Sequence, residues 1–180
     1  MATSPPAAPA THSFAALKEK QRAIRSGFPE ALGLRVHRSL SWLGRAEGEA
    51  DDNDVRFILL WVGFNAVYAG DLSEEFSGER GAIESYFDAL VQLDGGRRIY
   101  DAVWFRFPHE IRMLLDNKYV FSPFWKHHNG IEGYADWQDR LTKSGRAVAA
   151  AMAQQNTSKI LQVVFDRLYV LRNQLVHGGA

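Results

Sequence analysis

The sequence predicts an all-α protein, an up-and-down helical bundle that carries an aromatic-rich helical insertion. Three observations predict it. Apolar residues recur at intervals of three and four along most of the 180-residue chain. No stretch alternates apolar and polar residues between hairpin turns. The breaks between periodic stretches are helix start and stop signals, and no repeat of fixed length runs through them.

Residues 1–11, MATSPPAAPAT, are rich in Pro and Ala and read as a disordered leader. Residues 12–180 then form one helical domain. Lys18, Lys20, Arg22 and Arg25 suggest a short, exposed first helix. Leu32, Val36, Leu40 and Leu43 keep helical spacing after Pro29-Glu30, with Pro in the first turn. Asp51-Asp52-Asn53-Asp54 supplies an N-cap and first-turn acids for a helix from Val55 to about Tyr68. That helix is apolar nearly all round and is expected at the bundle centre, stopping at Gly70-Asp71. Glu79 to Leu93 is the next amphipathic stretch, closed by Asp94-Gly95-Gly96.

Residues 97–137 hold ten of the 22 aromatic residues, and Pro108, Pro123 and Asn129-Gly130 cut them into short helical pieces. This density, with few basic residues interleaved, suits a core or dimer surface, or else a platform for stacked bases. A long helix is expected from about Tyr134 to Gln155. Asn156-Thr157-Ser158 caps the last one, in which Ile160, Leu161, Val164, Phe165, Leu168, Leu171 and Leu175 keep the period until Gly178-Gly179.

Composition narrows the function. The 21 basic and 21 acidic residues cancel, which excludes a globally basic nucleic-acid coat. The balance is uneven, however. Residues 51–101 hold eleven acids against four bases, whereas 102–180 hold ten bases against six acids. The chain has no cysteine, so disulfides, zinc ribbons, thiol nucleophiles and iron–sulfur clusters are excluded together. The longest apolar run, Phe57 to Phe64, falls short of the ~20 residues of a spanning helix, and no secretory signal pattern opens the chain. These features point to the cytoplasm and to no membrane partner.

The last helix ends LYVLRNQLVHGG, where Arg172 and His177 bracket four residues and Asn173 follows the arginine. Here the sequence resembles the HEPN superfamily, helical bundles whose hallmark is Arg, four to six residues, then His, often with Asn second. RVHRSLSWLGRAE (35–47) and DVRFILLWVGFNAVYA (54–69) resemble the preceding helices of bacterial HEPN proteins, where an aromatic-rich central helix carries a buried Asn, here Asn65. The resemblance covers roughly residues 29–70 and 134–179. The stretch between, about 95–133, looks like a family-specific insert. The resemblance implies a metal-independent endoribonuclease with no cofactor, a homodimer that faces two copies of the motif, and a role in toxin–antitoxin or antiviral defence, with RNA and an antitoxin protein as partners. It also implies a further helix after the motif. Only Gly178, Gly179 and Ala180 follow it here, which reads as a C-terminal truncation or a missing terminal helix.

The residues themselves suit that chemistry. Cleaving RNA through its own 2′-hydroxyl needs a base for that hydroxyl, an acid for the departing 5′-oxygen and positive charge on the phosphate. Histidine titrates ordinarily at about 6.5 and can serve either proton role near neutrality. Arginine stays charged and presents a planar fork to phosphate oxygens. One His177 per chain cannot be base and acid in one step, whereas two chains supply both. Five residues of ideal helix rotate by roughly 140°, so Arg172 and His177 are expected to converge only where the helix opens near Val176-His177. A non-catalytic HEPN-like module for dimerisation, protein binding or RNA binding is the alternative.

Supporting candidates are fewer. Asn65 either bonds the motif across the bundle or ties two helices together. Arg56 is a surface or salt-bridged residue, or a phosphate contact. His37, with Arg35 and Arg38, lines either a solvated helix face or an RNA path. His127-His128 lacks a spaced partner for chelation, and no metal site is expected.

Overall fold

The structure is a computed structural model that describes residues 12–68 and 79–178. The leader over residues 1–11, the helix stop at Gly70-Asp71 and Gly179 lie outside the described residues. Among the described residues there are nine α-helices and no strand. The all-α class predicted from periodicity is the observed one. The chain packs as two compact units, Met1–Glu74 and Glu75–Ala180.

The first unit holds α1 (Phe14–Ile24), α2 (Glu30–Gly48) and α3 (Asn53–Tyr68). Ser13 caps α1 by accepting from the Ala16 N–H, and Asp52 Oδ1 caps α3 by accepting from the Asp54 and Val55 N–H groups at 2.9 and 3.0 Å. α2 and α3 form a close antiparallel pair. A Cβ added to Gly63 of α3 would lie 3.3 Å from both the Ser39 carbonyl oxygen and Trp42 Cβ of α2, so a larger residue here would push the two helices slightly apart. The Phe14 ring of α1 covers Gly44 of α2 in the same way. Phe57, Trp61, Phe64 and Tyr68 form a ladder of tilted rings along α3, with centroids 4.8–6.2 Å apart. The expectation of an α3 enclosed on every side is not what the packing shows. Trp61 is buried, yet Leu60 remains 41% exposed and Val55 is exposed as well.

The second unit is built around its last helix. It comprises α4 (Glu79–Gln92), α5 (Arg98–Asp101) running into a π turn at Ala102–Arg106, α6 (Pro108–Asp116), a 3-10 turn at Lys118–Val120, α7 (Ser122–His128), α8 (Trp137–Ala153) and α9 (Thr157–His177). Asp94 does more than close α4. Its carboxylate accepts from the Arg98, Ile99 and Tyr100 N–H groups at 2.8–3.0 Å and so starts α5. Val103, Leu115, Val148, Ala151, Ile160 and Val164 make the core, with Ile160 wholly enclosed. The tilted rings of Phe87 and Phe165, with centroids 4.7 Å apart, fasten α4 to α9, and the Trp104 indole N–H donates to Thr157 Oγ1 at 2.9 Å.

The aromatic-rich stretch divides. Phe121 is buried and Trp104 packs on the core, whereas Phe105 is 70% exposed and Phe107 and Tyr119 are also outside. α8 starts at Trp137 rather than near Tyr134. Gly133 takes a left-handed φ of 82°, and Arg140 ties that turn by donating to the Gly133 carbonyl and the Asp136 carboxylate. Asn156 caps α9 through the Lys159 N–H at 3.0 Å.

Candidate functional site

Helix α9 stays closed through His177 and ends only at Gly178, whose φ of 71° is left-handed and whose N–H bonds the Gln174 carbonyl. The predicted opening near Val176-His177 therefore does not occur. The motif residues nevertheless meet at one place. Tyr169, Val170, Arg172, Asn173 and His177 border a cleft of about 450 Å³, in the size range of small-ligand sites. Asn173 and His177 sit one turn apart on the same helix face. Arg172, rotated away from His177 in an ideal helix, also lines the cleft, with its guanidinium 4.9 Å from the Tyr169 ring centroid.

The opposite wall is α7. Ser122, Trp125, Lys126 and Asn129 line the cleft at i, i+3, i+4 and i+7, a single helical face, and Ile131 follows them. The Tyr119 carbonyl fastens this wall to the motif helix, because it accepts from the Trp125 indole N–H at 2.7 Å and from the Gln174 amide. Behind the wall, Phe124 packs edge-on against Tyr119, Trp125 and Trp137 with centroids 5.0–5.5 Å away. That cluster holds a seven-residue helix in place that would not be stable alone.

Lys126 is oriented by its neighbours. Its Nζ donates to Tyr134 Oη at 2.9 Å and lies 4.7 Å from that ring centroid. The same hydrogen bond, helped by the ammonium charge, lowers the Tyr134 phenol below its ordinary range, and the Arg140 charge adds a smaller push in the same direction. Among the described residues, Lys126, Arg172 and His177 are the basic side chains on the lining, which includes neither Asp nor Glu. Such a cleft attracts an anion and offers an imidazole for proton transfer beside it.

The structure thus brings Arg172, Asn173 and His177 together. All the lining residues belong to Glu75–Ala180. Asn65, Arg56 and His37 belong to Met1–Glu74. There Asn65 is half-buried in α3, with an Oδ1 that accepts no hydrogen bond. Arg56 is exposed near the start of α3, and His37 is exposed on α2 with its Nδ1 3.1 Å from Lys18 Nζ. His127 and His128 are exposed, and the His128 ring stacks on Phe124. Among the described residues no three His, Asp or Glu side chains gather as a metal-ligand group, and no helix is long and apolar enough to cross a membrane.

Lys126 is the residue that sequence reasoning missed as a site, and Trp125 entered it only as one of ten aromatics in a possible stacking platform. The signal was present as the i, i+3, i+4, i+7 spacing of Ser122, Trp125, Lys126 and Asn129. No family model, curated protein or solved structure matches the chain.

Proposed function

We propose that the chain is a metal-independent endoribonuclease of HEPN type that cuts RNA as a homodimer. The observation that supports this reading is the gathering of Arg172, Asn173 and His177 on one cleft, whose described lining also holds Lys126. His177 of one chain takes the proton of the 2′-hydroxyl, whose oxygen attacks phosphorus. His177 of the second chain protonates the departing 5′-oxygen as the P–O5′ bond breaks. Arg172 stabilises the charge that builds on the phosphate, where a fixed cation is most effective, and Asn173 positions the substrate. The products are a 2′,3′-cyclic phosphate and a 5′-hydroxyl. A cytoplasmic setting in a toxin–antitoxin or antiviral system, with an antitoxin protein as partner, accords with this chemistry.

The test is RNA cleavage by purified protein in EDTA. His177→Ala is expected to lose about 10²–10⁴-fold in rate, with the helical circular dichroism and the dimer intact. Unchanged cleavage by that variant refutes the catalytic role. The second reading, a non-catalytic interaction module, draws on the exposed Phe105, Phe107 and Met113 of the second unit. EDTA-resistant cleavage by the wild type, absent from the variant, decides against it.

A further inference from the structure

The α7 wall has chemistry of its own, which the Arg-His motif does not require. The Trp125 N–H is already given to the Tyr119 carbonyl, so the indole offers the cleft only apolar ring surface. Lys126 has three N–H donors and gives one to Tyr134. Two remain for an anion. The cleft volume of about 450 Å³ suits one nucleotide-sized group, and a base enters such a space only when it is unstacked from its neighbours.

We propose that the cleft between α7 and α9 is a single-nucleotide subsite for unpaired RNA. One base packs against Trp125, and Lys126 holds a phosphate next to the one that Arg172 and His177 engage. Ser122 and Asn173 supply polar edges that read the base. This inference rests on the cleft being an RNA site, and it assigns the insert the choice of where the strand is cut. Paired RNA is excluded because its bases stay stacked.

The experiment separates binding from cutting. Fully 2′-O-methylated single-stranded RNA has no nucleophile and survives intact when titrated into the full-length protein. Trp125→Ala is expected to weaken its binding by about 5- to 150-fold, the effect of losing one stacked base, and Trp125→Phe to restore most of the affinity. Lys126→Gln should reduce the slope of log affinity against log salt by about 0.7, the share of one phosphate contact on a single strand. A duplex of the same sequence should bind about tenfold or more weakly.

Wild-type affinity and salt slope in both Trp125→Ala and Lys126→Gln overturn the subsite, as does absence of binding by the wild type. Should Trp125→Ala fail to fold, the salt slope of Lys126→Gln decides. Cleavage of ordinary RNA is scored separately. Variants that bind and cut like the wild type sink the subsite and leave the nuclease standing. Binding with the expected signature, but without cleavage, sinks the nuclease and leaves the subsite.

Discussion

Arg167 offers the sharpest test of the energetics of the second unit. It lies on α9 and is only 3% exposed. Its guanidinium donates once, to Ser144 Oγ at 3.0 Å, and lies over the Phe121 ring at 4.3 Å, while its buried Nε has no acceptor. Burial lowers its pKa, and the neighbouring Asp166 charge offsets this only in part. Removing such a charge from water costs several kcal/mol. Against that stand about 1.5–3 kcal/mol for a hydrogen bond from a charged donor and about 2 for a desolvated ring contact. The opposing effects nearly cancel. Arg167→Met keeps an unbranched apolar stem and deletes the charge, so its stability should fall within about 2 kcal/mol of the wild type. Arg167→Lys keeps the charge but loses the planar fork, and should be destabilised by about 3–5 kcal/mol. Urea denaturation followed by circular dichroism measures both. The sign with pH follows from the direction of the shift. A base held more weakly in the folded state costs stability at every pH below its folded value, and the cost is relieved only as pH rises through it. An arginine remains charged from about pH 6 to about pH 9, so the stability difference between the wild type and Arg167→Met should stay constant across that range. An Arg167→Lys protein as stable as the Arg167→Met protein, or more so, would refute the claim that the uncompensated charge is the costly element.

Two further predictions concern packing and titration. Gly63→Ala should lose up to about 2 kcal/mol, because overpacking against the Ser39 carbonyl and Trp42 Cβ outweighs the gain in helix propensity. Gly145→Ala, in α8 with open space around it, should instead gain about 0.5–1 kcal/mol; urea midpoints that move together in these two variants would contradict the close α2–α3 approach. Tyr134 should ionise at lower pH than an ordinary tyrosine, read from phenolate absorbance, and Lys126→Gln should move its titration upward. An acid whose folded pKa is lowered stabilises the fold above its unfolded value, and that contribution is lost as pH falls through the folded value. Lys126→Gln should therefore leave this contribution at neutral pH unchanged, and an identical phenolate titration in the variant would contradict the Lys126–Tyr134 bond.

What was legible in the sequence was what acts within a turn or two. Asp52, Asn156 and Gly178 cap helices through bonds to residues at most four positions away, and each cap falls where the local pattern put it. The period of α9 likewise predicts Ile160 and Val164 in the core, whereas the buried Arg167 and Val170 lie outside the predicted set. The failures are non-local. The apolar circumference of α3 says what could be covered and not what covers it, and Leu60 is left exposed. Asp94, read as the end of α4, also starts α5, because three N–H groups beyond Gly95-Gly96 turn back onto its carboxylate.

The candidate site shows the same division at closer range. Arg172, Asn173 and His177 announce themselves because they stand together in the chain. Trp125 and Lys126 are far from them in the chain and arrive through the Tyr119 carbonyl, a backbone acceptor with no residue signature. That acceptor is bonded from α7 by Trp125 and from α9 by Gln174, the residue after Asn173, so the two walls hold each other in register. A cleft set by a shared acceptor depends on both helices being whole. This explains how α9 can stay helical through His177 and still gather its motif. The meeting place that the spacing asks of the helix itself is supplied by the wall placed opposite, and Arg172 lines that same cleft. The residues proposed to react and those proposed to choose the substrate therefore share one mechanical support, and a change at Tyr119 or Gln174 reaches both.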